Sequence, residues 1–269
     1  MKEYFSSLKE NESIFSNIDS LSLDYLPKFL FHRENEQKHI AETIKPLLNE
    51  GNAGNLLIHG LSGIGKTHAV KRVLEDLREE EGEEIGVGFV NCWKLSSSQN
   101  ILEKISKELG YGLTQGLNEV QLIEKIKLML KTRKGLVLAF DEIDKAEEYR
   151  FLYTLLEELE SKSIILITNN PEWIALLDAR IKSRLIPETI EFKEYGRKEV
   201  EDIIKERIKL AFFENSWEEN AIKLVAGKTF QSKDIRKGIH LLKEAGMNAE
   251  NKGERIVREE EVEKAISKI

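Results

Sequence analysis

The feature that most constrains the fold is a glycine-rich segment between a short apolar run and an amphipathic stretch. Gly60-Leu-Ser-Gly-Ile-Gly-Lys-Thr67 fits the pattern G-x-x-x-x-G-K-[ST], with the apolar run Leu56 to His59 before it. After it, the apolar positions from Ala69 to Leu77 fall on one helical face. In such a strand, loop and helix, glycines let backbone N–H groups wrap a phosphate, and the helix N-terminus adds a positive field. The segment predicts an α/β domain that binds phosphate.

The residue types in this loop predict a nucleotide site. Lys66 is expected to reach the β and γ phosphates, and the Thr67 hydroxyl is expected to ligate Mg²⁺. The other loop residues expected at the nucleotide are Gly60, Ser62, Gly63, Ile64, Gly65 and His68. The imidazoles of His59 and His68 have no metal-ligand partners at useful spacing, which favours packing roles for them. The predicted cofactors are ATP or ADP and Mg²⁺.

An apolar run that ends in two carboxylates, Leu136 to Glu142, predicts the metal and water side of the same site. Asp141 is expected to hold Mg²⁺ through water, and Glu142 to polarise the attacking water as a general base. The alternative is a strand followed by a helix N-cap, and the upstream loop favours the catalytic interpretation. The next apolar run ends in Asn169 and Asn170, where an amide, preferably that of Asn169, could orient water near the γ-phosphate. Turn formation is the alternative there.

Three arginines are candidates for sensing the γ-phosphate. Arg180 and Arg184 lie one helical turn apart, so either could be offered to the nucleotide of a neighbouring subunit. Solvated surface arginines are an equal alternative. Arg236 follows Asp234 at a helix start and could bridge to the γ-phosphate, which would couple the angle of a lid to nucleotide state. A capping Asp with an exposed Arg is the simpler interpretation of that segment alone.

The order of apolar runs predicts a parallel five-stranded sheet flanked by helices. The strand candidates are Leu56 to His59, Ile85 to Val90, Leu136 to Phe140, Ile164 to Thr168, and Thr189 to Phe192. After Glu194 only helical periodicity remains. We therefore expect a nucleotide-binding α/β domain over 1–194 and a small all-helical lid over 195–269, hinged at Tyr195 and Gly196.

Composition restricts the partners and the compartment. A formal charge of -7, from 48 Asp and Glu against 41 Lys and Arg, does not suit a chain whose main affinity comes from neutralising phosphates. Cys92 is the single cysteine, so an internal disulfide is excluded and a buried, inert thiol is expected. No apolar run approaches the roughly 20 residues of a membrane span, and the N-terminus lacks a signal pattern. A cytoplasmic protein without membrane contact is expected.

Together these motifs resemble the Orc/Cdc-type replication initiators, a family of AAA+ ATPases from archaea and eukaryotes. The segment Tyr25 to Glu34 is similar to the family's segment ahead of the loop, which helps to enclose adenine, so the resemblance implies nucleotide contacts from Tyr25 and Arg33. Phe140-Asp-Glu-Ile-Asp144 and Ile167-Thr-Asn-Asn170 follow in the family's order, and Leu177 to Leu185 resembles its segment that carries the arginine finger.

The same resemblance implies roles in the second domain and in the insert. Tyr195 and Arg207 look like the family's Tyr and Arg pair at the nucleotide, and Asp234 to Gly246 resembles its sensor 2 helix. Leu95 to Leu130 would cover a helical insert that contacts DNA in relatives. Those relatives continue into a winged-helix domain, whereas this chain stops at Ile269, so we expect its DNA binding to be weak or supplied by a partner.

The implied function is an ATP-binding and slowly hydrolysing initiator in DNA replication, with a protein partner that is either a second copy or another AAA+ subunit. One alternative is a nucleotide-controlled switch, carried by a mobile element or acting on a partner protein, without specific DNA binding. A third is a clamp-loader-like or transposition-targeting ATPase. Salt-sensitive DNA binding would favour the first. Nucleotide-dependent pairing with a protein, without DNA, would favour the second.

Overall fold

The computed structural model describes residues 13–268, which form two compact units. One unit is Arg33–Lys193, and the other combines residues 13–32 with residues 194–268. The sequence predicted a single division between 194 and 195. The structure differs for residues 13–32, which pack with the C-terminal helices because Phe15 stacks on Phe212, with ring centroids 4.7 Å apart. Among the described residues, no helix combines the length and apolar character needed to cross a membrane.

The first unit is built on five parallel strands in the order β2-β3-β4-β1-β5. The strands are β1 Leu56–His59, β2 Ile85–Asn91, β3 Gly135–Asp141, β4 Lys162–Thr168 and β5 Glu188–Glu191. The predicted five-stranded parallel sheet is therefore confirmed, with strand ends within two residues of those expected. Continuous apolar runs form these strands because helices cover both faces of the sheet, and every residue of β3 is buried.

The register of the strands brings four polar strand ends to one edge of the sheet. Asn91 pairs with Asp141 across β2 and β3, and His59 pairs with Thr168 across β1 and β4. The residues that follow these positions begin the loops at the carboxyl edge of the sheet. This is the edge at which open parallel sheets bind ligands.

Six helices and three short 3-10 helices complete the first unit. The helices are α1 Glu34–Ile44, α2 Lys66–Glu81, α3 Ser98–Glu108, α4 Glu119–Leu130, α5 Arg150–Glu158 and α6 Ala179–Leu185. The 3-10 helices are Lys45–Asn49, Ile143–Lys145 and Pro171–Leu176. The insert predicted between Leu95 and Leu130 thus contains α3 and α4. Their apolar sides join the main core with α5, where Phe151 packs on Phe140 of β3.

The second unit is helical. Its helices are α7 Arg197–Ala211, α8 Glu219–Ser232, α9 Ile235–Asn251 and α10 Glu259–Ile266, preceded by the 3-10 helix Ile18–Leu21. Gly246 on α9 lets two aromatic rings pack directly against the helix. A Cβ at this position would lie 2.6 Å from the Phe15 ring and 2.7 Å from the Phe212 ring, so a larger residue would displace the N-terminal segment. The side chain of Asp234 caps α9 by accepting a hydrogen bond from the Arg236 backbone.

Candidate nucleotide-binding site

The glycine-rich loop joins β1 to α2 and needs glycine for its backbone path. Gly60 has a φ of +146°, and a Cβ there would lie 2.4 Å from the carbonyl oxygen of Phe192. Gly63 and Gly65 also have positive φ angles, and Gly65 is the N-cap of α2. Of the other predicted loop residues, Ser62 is exposed, Ile64 is buried and His68 is half-buried in the first turn of α2. The loop therefore has the backbone path that the sequence pattern predicted.

The ammonium group of Lys66 lies inside this loop. It donates to the carbonyl oxygens of Gly60 at 2.8 Å and Leu61 at 2.6 Å, and to Oδ1 of Asn169 at 2.7 Å. Lys66 is only 6% exposed, so its charge is held among these oxygens. Asn169 is the first residue after β4, so the structure brings together two residues that the sequence proposed separately. The neighbouring Asn170 caps the following 3-10 helix.

The carboxylate of Asp141, at the end of β3, accepts hydrogen bonds from three directions. Thr67 Oγ1 lies 3.2 and 3.1 Å from its two oxygens, Asn91 Nδ2 lies at 3.3 Å, and the backbone N–H of Glu142 at 3.1 Å. Burial raises the pKa of Asp141 above its ordinary value, and these hydrogen bonds offset the increase only in part. A hydroxyl and a carboxylate in contact form a hard oxygen donor set, which suits Mg²⁺.

Glu142 follows in a left-handed backbone conformation, with φ 51° and ψ 45°. A non-glycine residue reaches this region only where its surroundings hold it there, and such residues cluster at functional sites. Here the strand before it is buried and the 3-10 helix Ile143–Lys145 begins directly after it. The side chain is half-buried, so water can reach the carboxylate.

Asn91 is a site residue that the sequence analysis missed. Its amide nitrogen donates to Asp141, while its Oδ1 accepts from the backbone N–H of Lys94. One signal could have identified it: Asn91 ends an apolar strand, as Asp141 does, and adjacent parallel strands end at the same edge. The predicted strand stopped at Val90 and so left Asn91 out.

Arg33 contacts the loop from outside it. Its guanidinium donates to the carbonyl oxygens of Ile64 at 3.2 Å and Lys193 at 2.7 Å, pairs with Glu36 at 2.7 Å, and lies 5.0 Å from the centre of the Phe192 ring. The side chain is 5% exposed. These contacts support the loop from behind, and a direct contact with nucleotide remains a prediction from the family resemblance.

Arg180 and Arg184 both lie on α6, and both approach one tyrosine ring. Their guanidinium carbons are 5.8 and 5.1 Å from the centre of the Tyr153 ring. Arg180 is also paired with Asp178, and Arg184 with Glu157. The two arginines share a face of α6, as their spacing predicted. None of these contacts involves the cluster of Lys66 and Asp141 in the same chain.

The remaining predicted residues belong to the helical unit. Arg207 is buried, donates to the carbonyl oxygen of Ser20 at 2.7 Å, and stacks 5.4 Å from the Tyr25 ring. Burial lowers the pKa of this guanidinium. Arg207 therefore packs on Tyr25, whereas the sequence had paired it with Tyr195, which is also buried. Arg236 is ion-paired with Asp234 at 2.7 Å. Nucleotide contacts by these four residues remain predictions.

Comparison with known proteins agrees with this architecture. Residues 49–172 match the AAA domain family, and residues 201–267 match the Cdc6 AAA+ ATPase-type lid domain family. The chain is 34% identical to ORC1-type DNA replication protein 1 of Archaeoglobus fulgidus, over 98% of this chain and 68% of that protein. The chain belongs to the ORC1-type DNA replication protein family. Its sheet, loop and helical lid are those of an AAA+ ATPase.

Other relatives of this ORC1-type chain support the same assignment. The ORC1-type DNA replication protein 1 of Sulfurisphaera tokodaii is 34% identical over 98% of this chain and 69% of its own length. The Aeropyrum pernix ORC1 protein, whose structure was determined in complex with DNA, superimposes with a TM-score of 0.84. That pair shares 28% identity over 96% of this chain and 70% of the other. The family expected from the motifs is confirmed.

Proposed function

We propose that this chain binds ATP with Mg²⁺, hydrolyses it slowly, and uses its nucleotide state to control contacts with DNA and with a partner ATPase during replication initiation. The observation that carries the proposal is the meeting of two pairs at one edge of the sheet. Lys66 Nζ lies 2.7 Å from Asn169 Oδ1, and Thr67 Oγ1 lies 3.1 Å from Asp141 Oδ2. A phosphate-binding cation, a metal-binding pair and a polar amide are the groups that phosphoryl transfer to water needs.

The chemistry assigned to each side chain follows from its charge and position. Lys66 and the N-terminal N–H groups of α2 bind and neutralise the β and γ phosphates. Thr67 and Asp141 would hold Mg²⁺, which supplies charge stabilisation at the phosphate oxygens when bound. Glu142 accepts a proton from the attacking water as a general base. The amide of Asn169 orients that water or the γ-phosphate oxygen beside it.

A partner subunit is part of the proposal because the contacts of Arg180 and Arg184 are with Tyr153 and nearby carboxylates rather than with the candidate site of their own chain. Arg184 or Arg180 would reach the γ-phosphate held by a neighbour, which is either a second copy or another AAA+ initiator. Both are presented on α6 beside Tyr153. Replacing each by alanine separately, and measuring turnover as a function of protein concentration, would identify which arginine acts between subunits.

DNA contact is proposed by analogy with the Aeropyrum pernix ORC1 protein, whose structure was determined in complex with DNA. The formal charge of -7 argues that any such contact is local and modest in affinity. The apolar sides of α3 and α4 are buried in the core, so their outer faces are the candidate contact surface. The nucleotide-bound form is expected to bind DNA more tightly than the ADP form.

The test combines nucleotide and DNA binding. A fluorescent ATP analogue should bind the wild type, lose binding in Lys66→Ala, and retain it in Lys38→Ala, since Lys38 is a 74% exposed lysine on α1. Fluorescence anisotropy with duplex and single-stranded probes, at two salt concentrations, then measures DNA binding with ATP or ADP. ATP-dependent, salt-sensitive duplex binding that Lys66→Ala abolishes supports the proposal. Tight ATP binding without DNA binding under any condition would reject its DNA part.

A further inference from the structure

The carboxylate of Asp144 connects the ends of two neighbouring strands. Asp144 lies in the 3-10 helix Ile143–Lys145 after β3, and its Oδ1 accepts a hydrogen bond from Thr168 Oγ1, the last residue of β4, at 2.7 Å. Its other oxygen is paired with Lys145 at 2.9 Å. The Asp144 side chain is 10% exposed and Thr168 is 1% exposed. A partly buried, charge-assisted hydrogen bond of this length restrains both partners.

The Thr168 hydroxyl is engaged on both sides. While it donates to Asp144, it accepts a hydrogen bond from the backbone N–H of Asn170 at 2.9 Å. Between these two anchored residues stands Asn169, whose Oδ1 accepts from Lys66. The backbone of Asn169 is therefore held from the residue before it and the residue after it.

Such anchoring matters because Asn169 is itself exposed at the edge of the sheet. An exposed amide on an untethered loop would sample several orientations, and a misplacement of about 1 Å can slow a reaction about 10²-fold. Burial alone would raise the pKa of Asp144, but the hydrogen bonds from Lys145 and Thr168 outweigh it and lower the pKa. Asp144 is thus an ionised acceptor at neutral pH.

We infer that Asp144 and Thr168 are positioning residues for ATP hydrolysis: their hydrogen bond fixes the turn that presents the Asn169 amide beside Lys66. The inference rests on the proposed function. Asp144 does not touch the nucleotide in this arrangement, since it acts through Thr168 and the turn that follows. Asp144 follows Glu142 by two residues, so its hydrogen bond adds a link between the segment that carries Glu142 and the segment that carries Asn169.

Conservative and disruptive substitutions separate positioning from general stability. Thr168→Ser keeps the hydroxyl and Asp144→Asn keeps an acceptor, so both should retain kcat within about threefold. Thr168→Val is close in shape and lacks the hydrogen bond, and it should lower kcat about 10- to 100-fold while the Kd for a fluorescent ATP analogue changes less than about twofold. Asp144→Ala removes the same bond from the other side and serves where Thr168→Val folds poorly.

A double-substitution cycle gives the decisive measurement. If Thr168 acts by placing Asn169, then adding Thr168→Val to Asn169→Ala should produce no further loss of kcat, since the group to be placed is already gone. Losses that add in full would overturn the inference, as would a Thr168→Val enzyme with wild-type kcat. A wild-type chain that binds ATP and never hydrolyses it would instead reject the proposed function, so the two failures are distinguishable.

Discussion

The Nε of Arg33 donates a hydrogen bond to the carbonyl oxygen of Ile64, in the middle of the glycine-rich loop, at 3.2 Å. A residue outside the sequence motif therefore supports the conformation of the motif. The same guanidinium holds the carbonyl oxygen of Lys193, at the end of the first unit. A planar guanidinium can donate to several acceptors at fixed angles. A lysine ammonium on its flexible stem cannot reproduce this geometry.

Arg33→Lys should therefore weaken both the fold and the site. We expect the free energy of unfolding to fall by about 2–4 kcal/mol, because a lysine ammonium keeps the charge but cannot reach the two buried carbonyl oxygens and the Glu36 carboxylate together. Affinity for ATP should fall about tenfold, or roughly 1.4 kcal/mol. Urea unfolding and nucleotide titration measure the two effects. The control is Arg150→Lys, since Arg150 is 73% exposed. Wild-type ATP affinity in Arg33→Lys would contradict the supporting role.

Gly60→Ala should prevent the loop from forming. The added Cβ would meet the Phe192 carbonyl at 2.4 Å, in a backbone region that L-residues avoid. We expect a loss of about 1–3 kcal/mol or more and loss of ATP binding. Gly227→Ala in α8 has no atom within 4 Å of its new Cβ, and should stabilise the chain by about 0.5–1 kcal/mol with unchanged ATP binding. Equal melting temperatures for the two variants would refute this account of the loop.

Glu142→Gln should separate binding from hydrolysis. The amide has nearly the shape of the carboxylate but cannot accept a proton, so turnover should fall about 10²- to 10⁴-fold with ATP affinity preserved. Glu148→Gln is the matched control, because Glu148 is an exposed carboxylate shortly after the same strand. Phosphate release under multiple turnover measures the effect. A Glu142→Gln enzyme that hydrolyses ATP as fast as the wild type would remove Glu142 from the role of general base.

Replacing the charged Asp141 side chain by a neutral one should increase the stability of the fold. Its pKa is raised by burial, so the native state binds a proton more tightly than the unfolded chain does, and stability is lost as pH rises through the native pKa. Asp141→Asn should therefore melt at a higher temperature than the wild type at pH 7, by a margin that narrows as pH approaches the ordinary value of about 3.9. A lower melting temperature for Asp141→Asn at pH 7 would contradict this.

Asp178 supplies a control of opposite sign. The side-chain and backbone hydrogen bonds from Arg180 lower the pKa of Asp178, so its contribution to stability is present above the ordinary carboxyl pKa and is lost as pH falls. Asp178→Asn should lower the melting temperature at neutral pH, and this difference should shrink in acid. The two variants together test the sign of each contribution within one set of melting curves.

The sheet and the centre of the site were predictable because local sequence determines both. Each strand is a continuous apolar run, and parallel strands place their ends at one edge, so Lys66, Thr67, Asp141 and Asn169 converge as expected. The glycine spacing fixed the loop for the same reason. These features depend on the chemistry of short segments and on one rule of topology.

Long-range packing is what the sequence could not supply. Phe15 meets Phe212, and Tyr25 meets Arg207, across separations of about 200 residues that no periodicity encodes. The sequence therefore placed residues 13–32 with the α/β domain, whereas in the structure they pack with the C-terminal helices. Asn91 was missed for a different reason. An asparagine at the end of a strand usually forms part of a turn, and only the paired strand shows that Asn91 contacts Asp141.

The single cysteine gives this chain a practical property. Cys92 is fully buried, and burial raises the pKa of its thiol to about 12, so almost no thiolate exists at neutral pH. Maleimide reagents should leave the wild type unlabelled. Two engineered cysteines, one on the exposed surface of each unit, could then be labelled with donor and acceptor dyes without labelling of Cys92. Energy transfer between the dyes would report whether the lid closes when ATP replaces ADP.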